Sequence, residues 1–394
     1  MLMQPYLPEK KYRAEESLRL IRYIQELIRK PSITPNDGDC IPWLAQRLQR
    51  LGFECQIFNL NGVTNLIAKY GEGKPAIGFV GHTDVVPAGD ESRWLYPPFS
   101  AQMHQGFIYG RGAADMKSGL ACWLVALEQF LQDNADFNGS LYFLVTSDEE
   151  GEAEYGTRAI VEHLKQQNVT LDACIVGEPT ASRFTGDTIK VGRRGAISGK
   201  LTIEGKAGHV AYPHHIINPV HIMGEVISAL NQIQWDQGSQ DFPGTSLQIT
   251  HVDSGDFVDN VSPHVCHIHF NIRYSHQWSE KSLNEVIVNT INPVADEYRI
   301  SWDRPCFPYM TDANTQGSYL LPALEKSIFE VTGHHPALST SGGTSDGRFV
   351  ATLAGEVYEI GVPNQTIHQF NERVSIADLI ALRDIYLQLL TKIF

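Results

Sequence analysis

Short apolar runs alternate with stretches of helical period through the first half of the chain. Leu20, Ile21, Ile24, Leu27 and Ile28 recur at helical spacing within residues 15–30, and Pro31 stands just past the end. A second helix is predicted over 43–51, closed by Gly52, and strands are predicted over 54–58 and 65–69. The runs 76–80, 141–146 and 173–176 are continuously apolar, the mark of strands buried on both faces. Helical stretches at 120–132 and 156–165 separate them. This alternation predicts an α/β fold with a mostly parallel sheet.

The pattern changes after Gly195. Residues 196–203, 245–251 and 265–274 alternate polar with apolar, as strands with one exposed face do, and helices are predicted over 219–233 and 282–297. The β-α-β-β-α-β-like order predicts a small α+β, ferredoxin-like domain with an open antiparallel sheet. From Ser318 the α/β pattern returns, with helices over 320–332 and 376–393 and a strand over 357–361. The expected division is 1–195 and 308–394 as two parts of one large domain, with 196–307 inserted between them. No internal repeat or low-complexity tract interrupts it.

A chain of 394 residues with 42% hydrophobic and 19% charged residues can bury large cores. Its net charge of −14 argues against nucleic acid or an anionic membrane as partner, and means that an anionic substrate needs local cations. No apolar segment is long enough to span a bilayer, and the N-terminus lacks the basic-then-apolar order of a secretory signal. Cys40, Cys55, Cys122, Cys174, Cys266 and Cys306 are scattered without CxxC pairs, which suits buried thiols in a reducing cytoplasm.

The candidate chemistry stands at the ends of the apolar runs. Ser147-Asp148-Glu149-Glu150-Gly151 places three acids after one strand, where like charges repel unless a cation is bound. His82 follows another strand, with Asp84 two residues on and able to fix its tautomer. Asp115 precedes the helix at 120–132, where it also fits as an N-cap. Glu178 follows the strand at 173–176, and His368 lies in a loop after the strand at 357–361. In a mostly parallel sheet the carboxyl ends of strands are where sites assemble. Two His and several carboxylates without Cys suit Zn²⁺ best, with Mn²⁺ or Co²⁺ possible, and there are oxygens enough for two ions.

Gly81-His82-Thr83-Asp84-Val85-Val86-Pro87, Gly110-Arg111-Gly112-Ala113-Ala114-Asp115-Met116-Lys117, Ser147-Asp148-Glu149-Glu150 and Gly177-Glu178-Pro179 resemble the motifs of the co-catalytic zinc amidohydrolases. That group includes aminoacylases and acetylornithine deacetylases. The motifs occur in the group's order over nearly the whole chain. The resemblance implies that Asp115 bridges two zinc ions, that His82 and Glu178 complete one shell, and that Glu150 and His368 complete the other. It makes Glu149 the general base and Asp84 the partner of His82.

Within the group, Gly192-Arg193-Arg194-Gly195, Gly208 to His214, Ser341 to Phe349, and Thr366-Ile367-His368 with Asn364 before it resemble the desuccinylase branch. That branch implies hydrolysis of N-succinyl-LL-2,6-diaminopimelate to succinate and LL-2,6-diaminopimelate, in diaminopimelate and lysine biosynthesis. It carries Arg193, Tyr212, Asn260, Arg273, Gly343, Thr344 and Asn364 over as substrate contacts. In related deacylases the position of His209 is supplied to the partner subunit's site, so the resemblance implies a homodimer, 196–307 being the dimerisation and lid domain. One departure is Asp259, where the group commonly has Asn. Arg193, Arg194, Arg273 and Arg348 are the cations that a carboxylate-rich substrate needs in an acidic protein. A related deacylase or a dipeptidase on the same scaffold is the first alternative. A non-catalytic metal- or peptide-binding protein is the second, and a base at Glu149 speaks against it.

Overall fold

The structure, a computed structural model, describes residues 7–134, 136–311 and 318–394, with side chains described from Glu15 onward. The reading of the N-terminal residues 1–6, and the part of the second domain junction at 312–317, lie outside the described residues. The chain divides into two compact units: Met1–Gly192 with Met310–Ser339 and Ser345–Phe394, and Arg193–Tyr309 with Thr340–Thr344.

The first unit is built on an eight-stranded sheet in the order Glu54–Leu60, Val63–Glu72, Gly139–Thr146, Ala76–His82, Leu171–Val176, Ala354–Glu359, Thr188–Lys190, Ala337–Ser339. The four central strands run parallel, and their register aligns His82 with Thr146. Ala76–His82 and Gly139–Thr146 are buried at every position, as their unbroken apolar runs require, so helices cover both faces. Lys117–Asp133 packs against Ile376–Ile393, which also packs against Leu320–Thr332. Phe79 on the sheet stacks on Trp123 at 4.6 Å, and Trp123 meets Tyr386 edge-on at 5.1 Å. Glycine permits a close approach at the N-terminal end of helix Lys117–Asp133: a Cβ on Gly119 would lie 2.4 Å from the Gly177 carbonyl oxygen. That contact brings the helix turn bearing Asp115 beside the strand end bearing Glu178.

The second unit is a four-stranded antiparallel sheet in the order Ser246–Asp253, Val265–Tyr274, Gly195–Glu204, Arg299–Cys306, with helices Pro219–Asn231 and Glu280–Ile291. Ile197, Leu201, Ile203, Phe270, Ile272, Leu283 and Ile287 form its core. Cys266, Ile268, Phe270, Ile272 and Tyr274 are buried while the residues between them are not, so the alternation seen in the sequence faces one layer of helices. Two helix ends and one strand differ most from expectation. The helix predicted to 297 ends at Ile291, just before Asn292-Pro293. The strand Arg299–Cys306 has Arg299, Asp303, Arg304 and Pro305 on a sheet edge and so lacks an apolar signature. The first helix begins at Leu7 rather than near 15, because good helix formers without an apolar stripe precede the amphipathic part. Among the described residues no helix is long and apolar enough to cross a membrane.

Candidate metal centre

Five segments of the first unit bring His82, Asp115, Glu149, Glu150, Glu178 and His368 together at the carboxyl edge of the central strands. His82 Nε2 lies 3.4 Å from Asp115 Oδ1 and 3.6 Å from Glu178 Oε1. His368 Nε2 lies 3.3 Å from Asp115 Oδ2 and 3.0 Å from Glu150 Oε1. The two oxygens of Asp115 thus face two different imidazoles, as a carboxylate between two cations would. Ligand atoms of His82, Asp115 and Glu150, and of His82, Glu149 and Glu178, all lie within 4.8 Å of one another in each group.

Asp115 is not a helix cap: the helix begins at Lys117, and the Asp115 carboxylate turns towards the histidines. His82 is almost wholly buried, and its Nδ1 lies 2.9 Å from the main-chain carbonyl of Asp84. That contact has Nδ1 donating, so Nε2 is the nitrogen that can offer a lone pair to a cation. Nε2 has no hydrogen-bond partner among the described residues. A buried nitrogen lone pair facing carboxylate oxygens is arranged for a cation. The carboxylate of Asp84 lies further from the ring, 3.5 Å from Nδ1, and accepts instead from the backbone N–H groups of Glu149 at 3.3 Å and Glu150 at 3.1 Å. Asp84 therefore positions the acid pair as well as the histidine. Asp148, the third acid of the run, is turned away and accepts from the N–H groups of Glu154 and Tyr155.

The electrostatics show an excess of negative charge. Burial, and then the Glu178 carboxylate, push Glu149 well above the usual carboxylate range. Burial and the Asp115 carboxylate push Glu150 up as well. Burial works to raise Asp115 too, but the His368 and His82 rings on either side of it win and hold it below its ordinary value. Asp115 and Glu150 in turn raise His368 to about 10. Four carboxylates against two imidazoles leave a deficit of positive charge that bound divalent cations would fill.

The profile of peptidase family M20/M25/M40 matches residues 78–392. The chain belongs to that family. Among M20 relatives, it is 50% identical over 375 residues to succinyl-diaminopimelate desuccinylase 2 of Shewanella loihica, covering 94% of this chain and 99% of the relative. It is 47% identical over 373 residues to succinyl-diaminopimelate desuccinylase 1 of Alteromonas mediterranea, covering 94% and 96%. Its fold is similar to an M20 family metallo-carboxypeptidase from Sulfolobus solfataricus, with a TM-score of 0.80 at 18% identity over 95% of this chain and 98% of that one. It is also similar to a dinuclear metal-binding M20 peptidase from Bacillus subtilis, with a TM-score of 0.70 at 16% identity over 96% and 98%. As an M20 enzyme it is a hydrolase with a candidate metal site.

The remaining expected site residues stand apart from this cluster in the chain. Asn364 belongs to the first unit, where its N–H donates to Ala181 O at 2.9 Å, upstream of His368. The others belong to the second unit. A two-stranded ladder pairs Gly208 with Ser262 and His209 with Val261, and Val210 N–H donates to Asn260 O at 3.0 Å. This turn gathers His209, Asn260 and Tyr212, with the His209 and Tyr212 rings 5.8 Å apart and Tyr212 60% exposed. His209 Nδ1 accepts from Ala211 N–H at 3.1 Å, which leaves Nε2 to carry the ring proton. Arg193 is buried and donates to the Gly343 carbonyl at 3.3 Å, beside Thr344. Arg273 is half-buried on the sheet and donates to Asn271 Oδ1 at 2.9 Å. Arg111 and Glu372 also stand in the metal region, and nothing in the sequence points to them, because a buried ion pair on a loop has no periodicity to show it.

Proposed function

We propose that the chain hydrolyses the amide of N-succinyl-LL-2,6-diaminopimelate, giving succinate and LL-2,6-diaminopimelate for lysine and diaminopimelate synthesis. The observation that carries this is its 50% identity to a named desuccinylase across 99% of that relative's length. The ligand cluster supports two zinc ions per chain, with Co²⁺ or Mn²⁺ able to substitute. Asp115 with His82 and Glu178 would hold one ion, and Asp115 with Glu150 and His368 would hold the other. When bound, the ions supply Lewis-acid polarisation of the amide carbonyl and acidification of a water.

The chain's own groups supply the rest. Glu149 stands beside the ligands without being needed as one, where a base that must also give its proton back is wanted. It takes the proton of the attacking water and passes it to the leaving nitrogen as the C–N bond breaks. His209 donates from Nε2 to the oxyanion, and the partner subunit of a homodimer supplies it. Arg193, Arg273, Tyr212, Asn260, Asn364 and the Gly343–Thr344 backbone hold the carboxylates of the substrate against an acidic background. Six free cysteines, five of them buried, fit a cytoplasmic enzyme.

Comparing kcat/KM for succinyl-diaminopimelate with that for acetylornithine tests the reading. The succinylated substrate should be favoured by orders of magnitude, and a preference for acetylornithine would place the chain among the deacylases instead.

A further inference from the structure

The turn that carries Asp115 and the loop that carries His368 are joined through one side chain. Glu372 is fully buried and accepts four hydrogen bonds. They come from Arg111 Nη1 at 2.8 Å and from the backbone N–H groups of Gly112 at 3.0 Å, Ala114 at 2.9 Å and Asp115 at 3.1 Å. The carbonyl of Glu372 also accepts from Gly110 N–H at 2.9 Å. Arg111 closes the clasp from the other side. Its Nη1 also reaches the carbonyl of Gln369, next to His368, at 3.2 Å, and its Nη2 lies 3.4 Å from the carbonyl of Pro87.

An acid buried this close to Asp115 adds to charge that is already in excess. A buried ion pair is seldom the most stable way to fill such a space. What this one does is fix geometry. The carboxylate holds the N–H of Asp115 itself, and the same residue lies four positions after His368 in one loop. The separation of Asp115 Oδ2 from His368 Nε2, 3.3 Å, therefore depends on a clasp that touches neither atom. Zinc bonds of ~2.0–2.2 Å to N and O leave little tolerance for that separation.

We propose that Glu372, with Arg111, is a positioning residue of the metal centre, setting the affinity of the cation held by Asp115, Glu150 and His368. The inference rests on the two-cation reading above. Glu372→Gln keeps the shape, and its oxygen can still accept from Ala114 and Asp115. Its NH₂ then confronts the N–H donors of Gly112 and Arg111, which opens the clasp.

The test is competition for Zn²⁺ between the full-length chain and a chromophoric chelator, with near-ultraviolet circular dichroism confirming that each protein is folded. The wild-type chain should bind two ions. Glu372→Gln should weaken one of them by ~10–100-fold, the usual range for groups that orient metal ligands, and should lower kcat more than it raises KM. Arg111→Lys keeps the Glu372 contacts to the backbone but loses the reach to Gln369, and should weaken the same ion by a smaller factor. If Glu372→Gln fails to fold, Arg111→Lys decides the matter by the same readout. A purely structural role would lower the melting temperature and leave zinc affinity per folded chain unchanged, which overturns the inference. A wild-type chain that binds fewer than two ions overturns the two-cation reading beneath it, and the inference with it.

Discussion

Glu149 and Glu150 are neighbours in the chain, yet they meet different partners. The Oε1 of Glu150 is 3.0 Å from His368 Nε2, whereas Glu149 has the Glu178 carboxylate as its strongest charged neighbour. Glu149→Gln should therefore cut kcat by at least the ~10²–10⁴-fold typical of a lost acid–base group while zinc content stays near normal. Glu150→Gln should lose zinc instead, and reversed phenotypes would exchange their roles. Asp115→Ala should deplete both ions, since each of its oxygens faces a different histidine.

The metal-free chain has its own signature at His368. A His whose folded-state pKa is raised contributes stability that is fully present below its ordinary value of 6.5 and lost as pH rises through the raised one, here about 10. Melting of the chelated wild type should exceed that of chelated His368→Ala below pH 6.5, and the gap should close as pH passes 10. A gap that widened with pH would contradict the charges assigned to Asp115 and Glu150. At this scale the sequence marks most of the clustered residues, His82, Glu149, Glu150 and Glu178, by their place just after apolar runs. The grip of Asp84 on the backbone of residues 149 and 150, and the clasp of Glu372, are not marked, since both depend on which loops meet in space.

The elements explain why these side chains converge. The central strands are parallel and in register, so residues just past Thr146, His82 and Val176 share one edge of the sheet. The helix Lys117–Asp133 brings Asp115 to that edge only because Gly119 lets its first turn touch the Gly177 carbonyl. Gly119→Ala should destabilise the fold by the ~1–3 kcal/mol usual for overpacking. It should also weaken zinc retention, because it separates Asp115 from Glu178. Unchanged melting and unchanged zinc content would show that the contact does not govern the site. Buried strands announced themselves in the sequence through unbroken apolar runs. Thr188–Lys190 and Arg299–Cys306 did not, the first because it is short and the second because it is a charged edge.

At the scale of the molecule, the metal cluster belongs to one unit and His209, Tyr212, Asn260 and Arg273 belong to the other. In the proposed homodimer a second copy would cover the edge of the open sheet and lend His209 to its neighbour. Mixing inactive His209→Ala with inactive Glu149→Gln should restore activity in hybrid dimers, each with one working site. Subunit exchange without recovered activity would leave His209 serving its own chain or none. In the sequence the second unit is marked by the switch from continuous to alternating apolar runs, whereas exposed positions such as Tyr212 and Val210 carry no periodic signal.

The central claim is that this chain is a two-metal desuccinylase, and restoring metal to the chelated protein tests it most directly. Succinate released from N-succinyl-LL-2,6-diaminopimelate would be measured as Zn²⁺ is added back, with bound zinc counted in the same samples. The account predicts no release from the stripped chain and full activity as occupancy approaches two ions per chain. Undiminished succinate release from fully stripped protein, or none at full zinc occupancy, would contradict it.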